Sequence, residues 1–388
     1  MPPLLKLSSF GTIGAIYNSQ NQGDFVRNVS QPVGVGRSGS VDFGVDSILG
    51  QQMDVAQGED LSGMLQIVSQ RREDNSFTPQ LQWAFAKYYV TDILELRAGR
   101  LGSDNYMLAD SRNVGYSFLW VRPPVELFGG IRNTFFDGAD IVLQQRIGTG
   151  LAKFKLYGGQ QSISIPAYGT FDNHGAVRLG AHAEYNSEKW RFRIGYGQIT
   201  NKNENPAAIE PLALLRSSPA VLQSHGNSSV YASDLTVEGK TSRFVSAGFA
   251  YDEGPWHTQF IGTRLTPTSD VFPGYVAGYL TVGYRREKWT VYGTLSSIGS
   301  RGEKHNSGLP ATGSFTALVA FENTVFSALA AAQTTQSIGL RYDFARNVDL
   351  KLQLDRLHVR NPAFWKQSET PGWQAPATLV SLAVDFIY

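Results

Sequence analysis

The chain has 388 residues, of which 17% are charged, well below the roughly 25% usual in soluble domains, while 42% are hydrophobic and 40 are glycine. Its 34 Lys and Arg against 33 Asp and Glu give a net charge of +1, so no global field exists to attract nucleic acid. Cysteine is absent, which excludes disulfides, thiol nucleophiles and thiolate metal sites.

No segment has the 18 or more apolar residues of a membrane-spanning helix; the longest run, Thr324–Ala332, has nine. Met1-Pro2-Pro3 leads straight into patterned sequence, without a basic and then apolar leader, so no signal peptide is expected in this chain. No Pro/Ser-rich linker divides it, and residues 1–388 read as one domain.

Taken in chain order, period-two alternation predicts strands at Leu4–Tyr17, Asp46–Ala56, Ser62–Arg71, Gln80–Val90, Leu94–Leu101, Asp137–Ile147, Leu151–Gln160 and Ala176–Tyr185. It continues through Trp190–Thr200, Arg243–Tyr251, Trp256–Leu265, Tyr275–Tyr284, Trp289–Ile298, Gln336–Phe344, Leu350–Val359 and Thr378–Tyr388. These make sixteen strands, most of them 9–11 residues, the length of a tilted membrane-crossing strand. In the last, Val380, Leu382, Val384, Phe386 and Tyr388 share one face, and Ser381, Ala383, Asp385 and Ile387 the other. Pro206–Leu222, between the ninth and tenth strands, has the composition of a short helix.

The connections separate this pattern from a soluble sandwich. Short turns follow even-numbered strands, as at Thr91–Ile93, Asn186–Lys189 and Arg285–Lys288. Long loops follow odd-numbered strands, notably Asn18–Val45, Gly102–Phe136, Asn201–Ser242, Gly299–Thr335 and Arg360–Ala377. A sandwich has no reason to gather its long loops at one end, whereas a transmembrane barrel of antiparallel strands does. Three short turns are also bracketed by aromatics: Tyr185 and Trp190, Tyr251 and Trp256, Tyr284 and Trp289. Such rings favour the depth where hydrocarbon meets headgroups, and with Phe386 and Tyr388 they read as an aromatic girdle. Three hairpins capping a soluble core remain the plainer reading of the same residues.

Over its whole length the pattern resembles the Gram-negative outer-membrane porins: sixteen strands, a long third loop and a final strand ending in an aromatic. Pro124-Val-Glu126-Leu-Phe128-Gly129-Gly130 loosely resembles the Pro-Glu-Phe-Gly-Gly stretch at the tip of the third loop of trimeric porins. Trp120-Val-Arg122-Pro-Pro-Val-Glu126 is also similar to uncharacterised porin-like proteobacterial proteins. The resemblance implies an all-β, up-and-down transmembrane barrel in the outer membrane, a homotrimer, and contact with outer-membrane lipid and lipopolysaccharide. It also implies that residues 102–136 fold inward as a constriction loop, with Asp104, Tyr106, Asp110, Arg112, Tyr116, Arg122 and Glu126 facing the charges of the wall.

Strand phase points Lys6, Arg97, Lys153, Lys155, Arg178, Arg191, Arg193, Arg341 and Lys351 inward, against the acids Glu95, Glu184, Asp343, Asp355 and Asp385. The excess of bases predicts a modest anion preference, carried by Arg97, Lys153, Lys155, Arg178, Arg191 and Arg193. Structural pairing, with Glu184 next to Arg193, is the competing reading. His174, His182, His225, His257, His305 and His358 show no metal-site spacing. Gly34-Val-Gly36-Arg-Ser-Gly39 matches a dinucleotide fingerprint but lacks the flanking strand and helix. No catalytic residue, metal or cofactor is expected. The sequence therefore predicts passive diffusion of small hydrophilic solutes through a water-filled pore. A substrate-specific channel for an acidic or apolar compound, an outer-membrane hydrolase and a non-membrane β protein remain as alternatives.

Overall fold

A computed structural model of the protein describes residues 4–130, 134–165, 171–217, 228–301, 316, 319–320, 331–361, 364–368 and 373–388. The barrel strands are β1 (Leu4–Asn18), β2 (Ile48–Gln57), β3 (Leu61–Gln70), β4 (Gln80–Thr91), β5 (Leu94–Gly102), β6 (Phe135–Ile147), β7 (Gly150–Ile165) and β8 (Phe171–Asn186). They continue as β9 (Trp190–Thr200), β10 (Thr241–Glu253), β11 (Trp256–Pro267), β12 (Gly274–Arg286), β13 (Trp289–Arg301), β14 (Ala332–Ala345), β15 (Val348–Asn361) and β16 (Ala375–Ile387). Each is antiparallel to its neighbours in the chain. β1 also pairs with β16, from Phe10 opposite Ile387 to Asn18 opposite Leu379, so the sheet closes on itself. The sixteen-stranded up-and-down barrel is as the alternation and the porin resemblance indicate.

Several strands run further than expected at their long-loop ends. β7 continues to Ile165 and β14 starts at Ala332. There the outward side chains become polar, as at Thr334 and Gln336, so the alternation fades before the hydrogen-bond ladder does.

The two faces are the reverse of a water-soluble protein. Outward Ile194 and Ile338 are 64% and 58% exposed, whereas inward Lys351 and Asp385 are fully buried. An apolar exterior around a polar interior is the signature of a barrel solvated by hydrocarbon. No helix among the described residues is long and apolar enough to cross a membrane, which says nothing against strands that cross it.

The loops are not idle. In the first loop, Asp24–Phe25 pairs with Trp365–Lys366, which lies between β15 and β16. Phe25, Val35 and Val45 pack with Phe364, Trp365 and Trp373 on Leu357 and Leu379, an apolar roof over the β13–β16 side of the mouth. The long connection after β9 carries helices α2 (Pro206–Ser217) and α3 (Ser228–Leu235), the first where a helix is expected.

Candidate functional site

The third loop, between β5 and β6, packs against inward side chains of most of the wall. It leaves β5 at Asp104 and Asn105. The Asp104 carboxylate lies 3.1 Å from Lys155 Nζ on β7 and 3.7 Å from His182 on β8, and accepts a hydrogen bond from Arg193 on β9. Burial opposes ionisation of Asp104, but the charges of Lys155 and Arg193 outweigh it and hold its carboxyl well below the usual range. Lys155 is shared with Asp140 on β6 at 3.2 Å, and Arg97 grips Asp140 through two hydrogen bonds, one of 2.8 Å. Arg178 donates to the Asn105 side chain, and Ser246 on β10 donates to its carbonyl at 2.9 Å.

From there the loop crosses the lumen. Val114 packs on Phe10, Ile48 and Val68 of β1, β2 and β3. The Gly115 carbonyl accepts from Lys351 Nζ at 2.7 Å, and Lys351 lies 2.8 Å from Asp385. A Cβ at 115 would collide with the side chains of Asp385 and Thr12, which would have to move to admit it. On β14, Arg341 donates to the carbonyls of Tyr116 and Phe118 at 2.7 and 2.8 Å while its guanidinium covers the Tyr116 ring. Trp120 then donates to Thr281 on β12 and Thr294 on β13, at 3.1 and 3.0 Å.

On the return, Arg122 binds both carboxylate oxygens of Asp46, at 2.9 and 2.7 Å, one of Asp355 at 2.9 Å, and Ser381. Pro124 leads into the one-turn helix α1 (Val125–Phe128), whose Glu126 has no cationic partner among the described residues. Its carboxylate accepts from Ser296 at 2.8 Å, Gln333 at 2.7 Å and Thr335. The gap behind this tip is about 20 Å³, room for a single water. On this side the loop is sealed to the wall.

The residues singled out from sequence therefore divide. Lys155 and Arg193 are neutralised by Asp104, and Arg193 also lies 3.5 Å from Glu184. Arg97 is paired with Asp140 and Arg178 is bonded to Gln161 and Asn105. Among the described residues, Lys153 and Arg191 have no carboxylate partner; Arg191 sits at the short-turn rim with Asn186. Of the loop residues, Asp104, Tyr116 and Arg122 meet charges of the wall. The other four depart from that expectation. Glu126 meets hydroxyls and an amide, Tyr106 is buried against Phe128 and Phe244, Arg112 turns to carbonyls of its own loop, and Asp110 is exposed. The inward acids Asp140 and Asp349, absent from the strand-phase reading, cancel half of its excess of bases. Gly138 and Ala139 blur the phase beside Asp140, and Asp349 lies where a turn is expected.

At the short-turn rim Trp190, Trp256, Tyr284 and Trp289 are exposed on the outer face, and Tyr185, Tyr251 and Phe386 are half-buried. Trp190 contacts Tyr251 with centroids 4.5 Å apart, Trp256 contacts Tyr284 at 5.0 Å, and Trp289 stacks on Tyr342 at 4.0 Å. Each Trp thus pairs with the Tyr of the following strand, not with the Tyr that precedes its own turn. Tyr185 instead donates to the Ile147 carbonyl, Phe386 lies over Gly11, and Tyr388 is exposed.

Two recesses flank the loop. One of about 580 Å³ lies under it at the short-turn end, between Tyr116, Leu119 and the rim of β8–β14. The other, about 290 Å³, opens at the long-loop end beside Gln70, Gln80, Arg112 and Thr134. Among the described residues no cluster of His, Asp and Glu is arranged to hold a metal.

A closed sixteen-stranded barrel with polar recesses on both sides of an internal third loop has the fold of the outer-membrane porins. Solved structures agree. Over 99% of its length the chain matches OmpF of Salmonella typhi, solved with daunomycin (97% of that chain, TM-score 0.57, 10% identity). Over all of its length it matches the anion-selective porin of Comamonas acidovorans (100% of that chain, TM-score 0.55, 11% identity). It likewise matches, over all of its length, the outer membrane channel DcaP of Acinetobacter baumannii (97% of that chain, TM-score 0.57, 11% identity). No protein-family model and no curated protein matches the sequence.

Proposed function

We propose that the protein is an outer-membrane channel through which small hydrophilic solutes diffuse passively. The observation that carries this reading is the pair of polar recesses on opposite sides of the third loop, inside a wall whose exterior is apolar. The third loop is the constriction in this reading, since it crosses the lumen and packs on β10–β13 as well as on β1–β3. A modest anion preference rests on cations that the loop leaves uncompensated, Lys153 and Arg191 among them, and not on Lys155 or Arg193. The aromatics of the short-turn rim support a membrane interface at that end, with lipid and lipopolysaccharide against the exterior in the same reading. Trimerisation is part of the same reading, and one matching structure, OmpT of Vibrio cholerae, is described as a trimer form.

Planar-bilayer recording of the full chain tests this. Ohmic steps in KCl, with a reversal potential in a salt gradient that favours chloride, are expected. A folded barrel that leaves the bilayer silent overturns it.

A further inference from the structure

Four guanidinium groups line one recess, of about 290 Å³, at the long-loop end. Arg27 of the first loop, Arg71 and Arg72 beyond β3 and Arg112 of the third loop line it, against Glu73 as the acidic residue of the described lining. Arg71 is paired with Asp42 at 3.0 Å. Among the described residues the other three form no ion pair with a carboxylate, although Asp46 lies near Arg27, and Asp104 and Asp110 near Arg112. Arg27 donates to the Asp46 main-chain carbonyl at 3.3 Å, and Arg112 donates to the carbonyls of Ala109 and Ser103. Arg72 makes no side-chain hydrogen bond among the described residues, and its charge acts on the exposed Asp74 carboxylate. Moreover, Arg112 Nη1 is buried without any hydrogen-bond partner among them. A buried donor left unmet is costly, and one belonging to a cation more so.

Three guanidinium groups from three chain segments converge on one recess, a setting that suits an oxyanion. The planar fork of arginine matches a carboxylate or phosphate through paired hydrogen bonds. Pro123 and Phe128 add an apolar edge to the same recess, which suits a short hydrocarbon body better than a bare inorganic ion. The volume lies at the lower end of ligand cavities, so the ligand is small. We propose that this recess captures small carboxylate-bearing solutes arriving from the long-loop side, with Arg27, Arg72 and Arg112 as the binding residues. The direction of traffic rests on the channel reading; the binding does not.

Calorimetric titration of the full chain in detergent tests the site with glutarate, the uncharged glutaramide and inorganic phosphate as probes. Saturable glutarate binding is expected, with none for glutaramide. Arg72→Gln and Arg112→Gln should each weaken it about tenfold or more, the loss of one charge-assisted hydrogen bond. Arg112→Lys, which keeps the charge but not the fork, should fall between. The heat-dependent gel shift reports whether each variant still folds. Arg112→Gln could disturb the loop, so Arg72→Gln, whose only other partner among the described residues is the exposed Asp74, decides if that variant fails. Equal titrations with glutarate and glutaramide, or unchanged affinity in a folded Arg72→Gln, would overturn the site. Phosphate binding as tightly as glutarate would overturn its assignment to carboxylates. Glutarate binding without KCl conductance would sink the channel and leave the site, and conductance without binding would do the reverse.

Discussion

Arg122 ties the loop to both ends of the chain. It is 3% exposed and neutralises Asp46 and Asp355, which are separated from it by 76 and 233 residues. Removing the guanidinium strands two buried carboxylates, a loss of about 3–5 kcal/mol for a broken buried pair. We expect Arg122→Met to lower the urea midpoint in vesicles accordingly, and Asp46→Asn with Asp355→Asn to restore part of it. Asp104 is the acid-sensitive member of the set. Because its folded pKa is depressed, its contribution is complete above the ordinary carboxyl value of about 4 and is lost as pH falls through the depressed value. Unfolding measured from neutral pH down to pH 2 should therefore show an acid limb that Asp104→Asn flattens; an unchanged limb would count against the Asp104 anchor. Strand phase alone identifies Lys155, Arg193 and Asp355 as inward. Their partners lie in a loop without periodicity, so Asp104 with Lys155 and Arg122 with Asp46 become visible only in three dimensions.

The third loop behaves as an internal element with anchors at both ends and a tight point between them. At Gly115 the main chain lies so close to β1 and β16 that a Cβ would have to displace the side chains of Thr12 and Asp385. Gly115→Ala should cost about 1–3 kcal/mol through overpacking and unseat the loop's middle. The expected readout is a larger single-channel conductance together with a lower unfolding midpoint; wild-type values for both would show that the contact yields. The strands themselves were legible because every second residue answers to a different solvent. Trp190–Thr200 is predicted to the residue, since a turn bounds one end and the alternation persists to the other. Where outward residues turn polar, as from Gln336 back to Ala332, the signal ends before the strand.

At the scale of the whole molecule, the question is which solvent touches the outside. Ile194 lies on the outer face of β9. In a barrel crossing a bilayer, Ile194→Arg should cost about 2–4 kcal/mol near mid-depth. In water the same change would be nearly neutral, so refolding into lipid vesicles discriminates between the two environments. The β1–β16 seam has a consequence of its own. It joins the strands most distant in sequence, Phe10 opposite Ile387, while every other ladder of the barrel wall joins neighbours. Loop-closure entropy makes that the most expensive contact to form, so zipping can run round the circumference and still wait for its final stitch. Until then β1 and β16 are raw edges, and a partly assembled cylinder is as ready to join another chain as to shut upon itself.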